Sequence, residues 1–376
     1  MRILLVSLHH VEYAVELARA LGEKYPVHLV LIKGKVSKTI GAQIDQTIGA
    51  NVTCTLLPYA SMIHPSIIKV LFSIFYLYFK FRPDVIHLQE SVNPLNFFFL
   101  LFKSKPVVVT VHDVTLHPGT PTLKRKRKFW KIKLFHRSRQ RSNKLIVHGE
   151  ILKQQLVHKF KRPSSDVFVV PHGALFSYIP DIEPGIDEEP HTVLFFGRIQ
   201  EYKGLKYLIA AEPLVSAVLP EFKIIIAGRG EDIENYRSQL LSNSHFELHD
   251  RFILNRDVHK FFLRASTVVL PYIEGSQSGI AAMAFAFGKP VIATNVGSIP
   301  EMVEHNKTGI IVPAKNKEVL SQALIDLLQN PDKRKSFSQN AREAASTKFG
   351  WNHIAELTAK SYEQAIDGMH LNHRPV

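Results

Sequence analysis

Three groups of residues in this chain have types and spacings that suit chemistry. Arg198 and Lys203 stand five positions apart, just beyond the apolar run Thr192–Phe196. A guanidinium grips two oxygens in a fork and an ammonium acts as a point charge, so the pair suits a diphosphate. The turn Ala227-Gly228-Arg229-Gly230 adds a third cation where the backbone can approach a ligand closely. The second group follows the run Val268–Leu270. It comprises Glu274, Gly275, Ser276, Gln277, Ser278 and Gly279, ahead of a small-residue stretch ending at Ala286. Unpaired backbone N–H groups at a helix start there, with two hydroxyls and an amide, would make a phosphate pocket. The third group is His112 and Asp113 at the end of Val107–Val111, with His9 and His10 in the corresponding place after Ile3–Ser7. An imidazole near its working pH can donate to a sugar hydroxyl or activate an acceptor. Plainer readings stand beside each group: surface cations, an ordinary capped helix, structural members of the 19 histidines. The chain has no HExxH motif and no paired His/Asp spacing that would hold a metal, so neither a metal nor a cofactor is expected.

The elements that must position these groups are short Val-, Ile- and Leu-rich runs, each leading into a helical stretch. Six precede residue 180: Ile3–Ser7, Val27–Ile32, Val85–Leu88, Val107–Val111, Lys144–Val147 and Val167–Val170. Six follow it: Thr192–Phe196, Phe222–Ala227, Phe246–Leu248, Val268–Leu270, Val291–Ala293 and Gly309–Val312. Apolar strands without strict alternation, each followed by a helix, indicate parallel sheets buried on both faces. Between the two passes, Pro180–His191 reads as an exposed linker from its Pro, Gly and acidic content. The fold class is therefore α/β, with two Rossmann-like, doubly wound parallel-sheet domains facing each other across a cleft. Ligands in such sheets bind beyond the strands' carboxyl ends.

Composition narrows the function classes. With 376 residues and 45% hydrophobic content, two cores can form and disorder is excluded. Cys54 is the only cysteine, so no intramolecular disulfide forms and a reducing compartment, the cytoplasm, is expected. The N-terminus reads as a strand entering a helix rather than a secretory signal. The most membrane-like run, Pro65–Phe81, is interrupted by Lys69 and Lys80 and falls short of the ~18 residues a span requires. Charge is lopsided: residues 1–170 carry a net +17 and residues 171–376 a net −3. Lys124–Arg141 holds ten basic residues and no acidic one, interleaved with Phe129, Trp130, Ile132, Leu134 and Phe135. An anionic membrane surface, a solvated helix face over a buried apolar stripe, and nucleic acid all answer to this block, the last least well. Engagement of lipid would place the protein peripherally at a membrane's inner face.

Taken in order, the segments LFFGRIQEYKGLKYLI, IIIAGRGE, VVLPY and AFAFGKPVIATNVGSIPEMVEHNKTGIIVP resemble the retaining GT-B glycosyltransferases of family 4, the group 1 glycosyltransferases. The resemblance implies an acceptor-binding domain over residues 1–180 and a nucleotide-sugar-binding domain over 181–348. A helix over 349–376, entered through Phe349-Gly350-Trp351, would cross back to the first. It implies that Arg198 and Lys203 hold the donor diphosphate, that the backbone of Phe252 and Ile253 meets the nucleobase, and that Ser276–Gly279 cradle the distal phosphate. His112 matches the histidine that approaches the donor sugar, with His9, His10 and Asp113 on the acceptor side and Arg229 and Glu274 with the donor. The implied reaction is metal-independent transfer with retention, from a nucleotide-sugar co-substrate to a saccharide or lipid-linked acceptor in cell-surface polysaccharide or glycolipid synthesis. One departure stands out. Family members usually carry two glutamates, with seven residues between them, around the phosphate loop. Alignment on Gly288-Lys289-Pro290 puts Gly275 and Met283 at those positions, and Glu274 one place early. The GSQSG form therefore reads as a subgroup variant in which Gln277 and Ser278 replace carboxylate contacts. Two other readings remain at this point: a sugar-nucleotide epimerase of the same fold, and a non-catalytic protein that binds anionic surfaces.

Overall fold

The computed structural model of the chain describes residues 1–34, 36, 48–58, 66–91, 95–100, 102, 104–114, 133, 135–179 and 185–372. Two compact units emerge. The described residues up to Pro171, together with those from Trp351 onward, form one; His172–Gly350 forms the other.

The first unit is built on a seven-stranded sheet. Its strands are β1 (Ile3–Ser7), β2 (Val27–Ile32), β3 (Val52–Leu57), β4 (Val85–Gln89), β5 (Val107–Thr110), β6 (Lys144–Val147) and β7 (Val167–Val169). They run parallel in the order β3-β2-β1-β4-β5-β6-β7. β1 and β4 are buried at every residue, as expected of strands covered on both faces. β3 has no counterpart among the sequence-derived strands. It is the edge strand, and Thr53 to Leu56 are partly or fully exposed, so it lacks the continuous apolar run that marks its neighbours. The Trp351–Asn372 helix packs in this unit against the Val11–Gly22 helix and β4–β6. The edge of Trp351 meets the Tyr13 ring at 5.1 Å, and Tyr362 is fully buried.

The second unit carries a six-stranded parallel sheet. Its members are β8 (Thr192–Phe196), β9 (Lys223–Gly228), β10 (Phe246–Asp250), β11 (Thr267–Leu270), β12 (Val291–Thr294) and β13 (Gly309–Val312). The order is β10-β9-β8-β11-β12-β13. Its core joins Val193, Phe195, Ile224, Ile226, Val269 and Ile292 from the sheet to Leu208, Leu324 and Leu327 from the helices. The Gly279–Ala286 helix ends in a Schellman closure. Lys289 N–H reaches the Ala284 carbonyl at 2.8 Å and Gly288 N–H that of Phe285 at 2.9 Å, with Gly288 at φ +64° one position past the cap.

The segment Pro180–His191, expected to be an exposed linker, is held more closely than its composition indicates. Pro180–Pro184 lie outside the described residues. Beyond them Glu188 accepts from the nearly buried Lys289 ammonium at 2.7 Å, and Glu189 pairs with Arg264 at 2.5 Å. Glu188 and Glu189 thus anchor the described part of the segment by ion pairs within the second unit.

Candidate active site

In the second unit the loops after four adjacent strands surround a cavity of about 930 Å³. Arg198, Gln200 and Tyr202 come from the loop after β8, and Arg229, Gly230 and Asp232 from that after β9. Asp250 ends β10, and Ile273 and Glu274 follow β11. These loops pack backbone against backbone. Gly228 has φ +157°, and a Cβ there would stand 1.7 Å from the Gly197 carbonyl oxygen. Of the cavity's carboxylates, Glu201 pairs with Lys206, while Glu234 and Asp250 both pair with Arg237. Arg198 and Arg229 are exposed and make no ion pair among the described residues. Their guanidinium charge is left for an anion from outside.

Lys203 lies off this cavity. Its ammonium donates to the Tyr272 hydroxyl at 2.5 Å and stands 3.8 Å from the centre of that ring. The Tyr272 and Ser278 oxygens are 3.2 Å apart, so Lys203, Tyr272 and Ser278 form one chain leading to the residue that precedes the Gly279–Ala286 helix. Burial holds the Tyr272 hydroxyl far above its ordinary pKa, so it stays protonated and bridges the two. Ser276 and Ser278 are buried, and the Gln277 Oε1 atom is buried with no hydrogen-bond partner among the described residues. A bare buried acceptor of this kind costs about 1–3 kcal/mol until something donates to it. His172 lies beside the same helix start, its Nε2 being 3.9 Å from where a Cβ on Gly279 would sit. Its Nδ1–H donates to the Gly173 carbonyl at 2.9 Å, and burial pulls its pKa down to about 4, so the ring is neutral. Ile253 is buried and Phe252 is exposed, at the turn after β10.

The first unit repeats the arrangement with histidines. His10 follows β1, Gln89 ends β4, His112 follows β5 and His148 follows β6, again at the carboxyl ends of adjacent strands. The His10 and His112 rings stack at 3.8 Å, and Tyr13 presents its edge to His112 at 5.3 Å. His112 is buried, with Nε2 2.8 Å from Gln89 Oε1 and Nδ1 3.0 Å from His148 Nε2. His148 Nδ1 reaches the Val170 carbonyl at 2.9 Å. With the Gln89 amide oxygen facing His112, both ends of this two-ring chain are oxygens that only accept, and every contact is a hydrogen bond only with three hydrogens on the four ring nitrogens. Turning the Gln89 amide over presents an N–H instead, and the pair is satisfied while neutral. On the far side, Gln89 Nε2 lies 3.3 Å from His87 Nε2, which also meets Thr110 Oγ1 at 2.7 Å. His87 Nδ1 meets the Tyr362 hydroxyl of the C-terminal helix at 2.6 Å. Burial pulls His87 down to a pKa of about 3.

Asp113 contributes structurally through its backbone. Arg139 donates to the Asp113 and Val114 carbonyls and forks onto the buried Glu90 carboxylate at 2.9 and 2.6 Å. Arg139 belongs to the basic block and is itself buried, so this one of its ten cations serves the interior. Residues 124–132 and 134 of Lys124–Arg141 lie outside the described residues. His9 is exposed next to the cluster. The residues missed in the sequence are Gln89, His148, Tyr272 and His172. His148 ends the run Lys144–Val147 as His112 ends Val107–Val111, so the positional rule that singled out one would have found the other.

Two family models match the chain: Glycosyltransferase Family 4 over residues 11–174 and Glycosyl transferases group 1 over residues 181–344. An uncharacterized glycosyltransferase of Methanocaldococcus jannaschii is 29% identical over 188 residues, covering 49% of this chain and 48% of that one. The chain thus spans about half the length of that relative. A phosphatidyl-myo-inositol mannosyltransferase of Mycolicibacterium smegmatis is 27% identical over 291 residues, 74% of this chain and 71% of that one. Among solved structures, Anabaena HepE in complex with UDP-glucose shares the fold with a TM-score of 0.72 at 16% identity, over 97% of this chain and 100% of that one. The chain thus carries a match to a family 4 glycosyltransferase domain over most of the first unit's strands and to a group 1 glycosyltransferase domain over the second, in the two-sheet GT-B fold.

Proposed function

We propose that this glycosyltransferase moves a sugar from a nucleotide-sugar to a saccharide or lipid-linked acceptor, with retention of anomeric configuration, in the synthesis of a cell-surface polysaccharide or glycolipid. The observation that carries the reading is the pair of exposed arginines, Arg198 and Arg229, without ion-pair partners among the described residues and both lining the cavity beyond β8 and β9. They would hold the donor diphosphate, while Lys203 acts through Tyr272 and Ser278 at the phosphate loop. In the step, the bond from the anomeric carbon to the diphosphate breaks and a bond to the acceptor oxygen forms on the same face. The acceptor's proton passes to the departing phosphate, so no separate base is consumed. Guanidinium, ammonium and helix-start N–H groups stabilise the charge that develops on the leaving group. Gln277 Oε1 would accept from a sugar hydroxyl, and His112 would lie beside the donor sugar, its ring held in place by Gln89 and His148. His9, His10 and Asp113 would lie on the acceptor side, and Phe252 and Ile253 would meet the base. The bound UDP-glucose of HepE and the name of the mycobacterial relative support a nucleotide-sugar donor and leave room for a lipid acceptor. The site of action would be cytoplasmic, at the inner face of a membrane.

The test is donor turnover across a panel of UDP-, GDP- and ADP-sugars. Arg198→Ala should lower kcat about 100-fold or more, the usual cost of removing a donor aimed at developing charge. If wild type and variant hydrolysed every donor equally, or neither hydrolysed any, the reading would fail.

A further inference from the structure

The Ser66–Phe81 helix of the first unit has two apolar faces and only one is used. Val70, Ile74, Leu77 and Tyr78 point into the core of that unit. On the opposite side Ile68, Phe72, Phe75, Tyr76 and Phe79 are 56%, 72%, 46%, 61% and 67% exposed. At about 100° per residue these five fall within an arc of about 100°, a continuous strip along the helix. The concentration is not general to the surface. Thirteen large hydrophobic side chains are exposed among the described residues; five are on this helix, as are four of the five exposed aromatics. An exposed apolar strip of this size marks a contact surface.

The charges around the strip decide what it contacts. Lys69 and Lys80 are exposed along one edge of the arc, and Arg82 is exposed just past the helix end. No carboxylate occurs between Ser66 and Phe81. The nearest one, Asp84, is already bonded to Arg2. A second copy of the chain seated face to face would set lysine against lysine with nothing to neutralise either. An anionic bilayer has what the face lacks: phosphates for the cations and an apolar layer just beneath them. Phenylalanine and tyrosine rings sit favourably at that depth, and lysines reach up from it to the headgroups. We infer that the Ser66–Phe81 helix is a membrane-docking surface that lies flat on an anionic lipid bilayer, with Phe72, Phe75, Tyr76 and Phe79 inserted and Lys69 and Lys80 on the phosphates. The helix is distinct from the Lys124–Arg141 block. It deepens the lipid-linked acceptor reading and rests on that reading only for its purpose.

Flotation of the full chain with phosphatidylcholine vesicles, with and without 30 mol% phosphatidylglycerol, tests the inference. Wild type should float with the anionic vesicles, and Phe72→Ser/Phe79→Ser should bind them at least tenfold more weakly while keeping its melting temperature, since both side chains are exposed. Lys69→Gln/Lys80→Gln should weaken binding several-fold and reduce its salt dependence. The inference is overturned if wild type fails to float, or if the Phe variant floats as well as wild type. It is also overturned if sedimentation in lipid-free buffer shows a dimer that the Phe variant abolishes, because the face would then belong to a second copy. Turnover of a water-soluble nucleotide-sugar without vesicles is measured alongside. Its absence defeats the transfer reading while leaving docking intact, and equal floating with normal turnover defeats docking alone.

Discussion

At the scale of single residues, the site is defined by how protons and charges are shared. The fork of Arg139 on Glu90 and the Lys203–Tyr272–Ser278 chain each fix a loop by satisfying groups that could not otherwise be buried. The buried histidines have a measurable consequence. His87 and His172 have pKa values pulled down by burial to about 3 and about 4, against about 6.5 in an unfolded chain. Between those values the unfolded state binds the proton and the folded state does not, so stability rises with pH there and is fully present above pH ~6.5. Acidification below that point should cost up to about 1.4 kcal/mol per pH unit for each ring. His172→Asn, which keeps a side-chain N–H for the Gly173 carbonyl, should flatten the second unit's share of this slope. Urea midpoints at pH 7, 6 and 5 measure it; parallel slopes for wild type and variant would refute it.

At the scale of elements, the phosphate-side loops are held by close backbone approach rather than by side-chain bulk. Gly204 links the short turn at Glu201–Lys203 to the Leu205–Ser216 helix at φ +70°, and a Cβ there would stand 1.8 Å from the Pro271 carbonyl oxygen. Gly204→Ala should therefore cost about 2–4 kcal/mol, combining a strained left-handed backbone with displacement of the loop that leads to Tyr272. Gly368 is the control. It lies inside the Trp351–Asn372 helix with nothing within 4 Å of an added Cβ, and Gly368→Ala should stabilise by roughly 0.5–1 kcal/mol. Thermal melts of the two variants should move in opposite directions.

At the scale of the whole molecule, the chain's last long helix completes the unit with which the chain began. Tyr362 is buried against His87, Trp351 meets Tyr13, and Lys24 pairs with Glu356 at 3.1 Å. Phe349 stays with the second unit, where its carbonyl accepts from Ala174 N–H at 2.9 Å and its ring lies 5.8 Å from Phe285. Ending the chain at Gly350 should leave the first unit with an open apolar face and His87 Nδ1 without its hydroxyl partner. Hydrogen exchange of β1, β4 and β5 should accelerate by orders of magnitude, while that of β8, β9 and β11 should hardly change. Equal acceleration in both units would contradict this division. No helix among the described residues is long and apolar enough to cross a membrane.

Local sequence determined most of the skeleton. Twelve of thirteen strands lie at runs legible in the sequence. The inner ones are continuous Val-, Ile- and Leu-rich runs, because a strand buried on both faces has to be apolar throughout, whereas the edge strand β10 (Phe246–Asp250) is half-exposed and more polar. The positions of Arg198, Arg229, Ser276–Gly279 and His112 at strand ends were legible for the same reason, since a loop after a parallel strand carries its side chains to the sheet's carboxyl edge. β3 escaped because an edge strand needs only one apolar face. Long-range partnerships were decided by the tertiary structure alone. That Arg139 neutralises Glu90 49 residues away, that Lys203 lies against Tyr272 instead of the cavity, and that His87 finds its hydroxyl 275 residues later all depend on which helices cover which strands. The same holds for the Ser66–Phe81 helix. Its two apolar faces look alike in sequence, and only packing one of them into the core reveals that the other is left over.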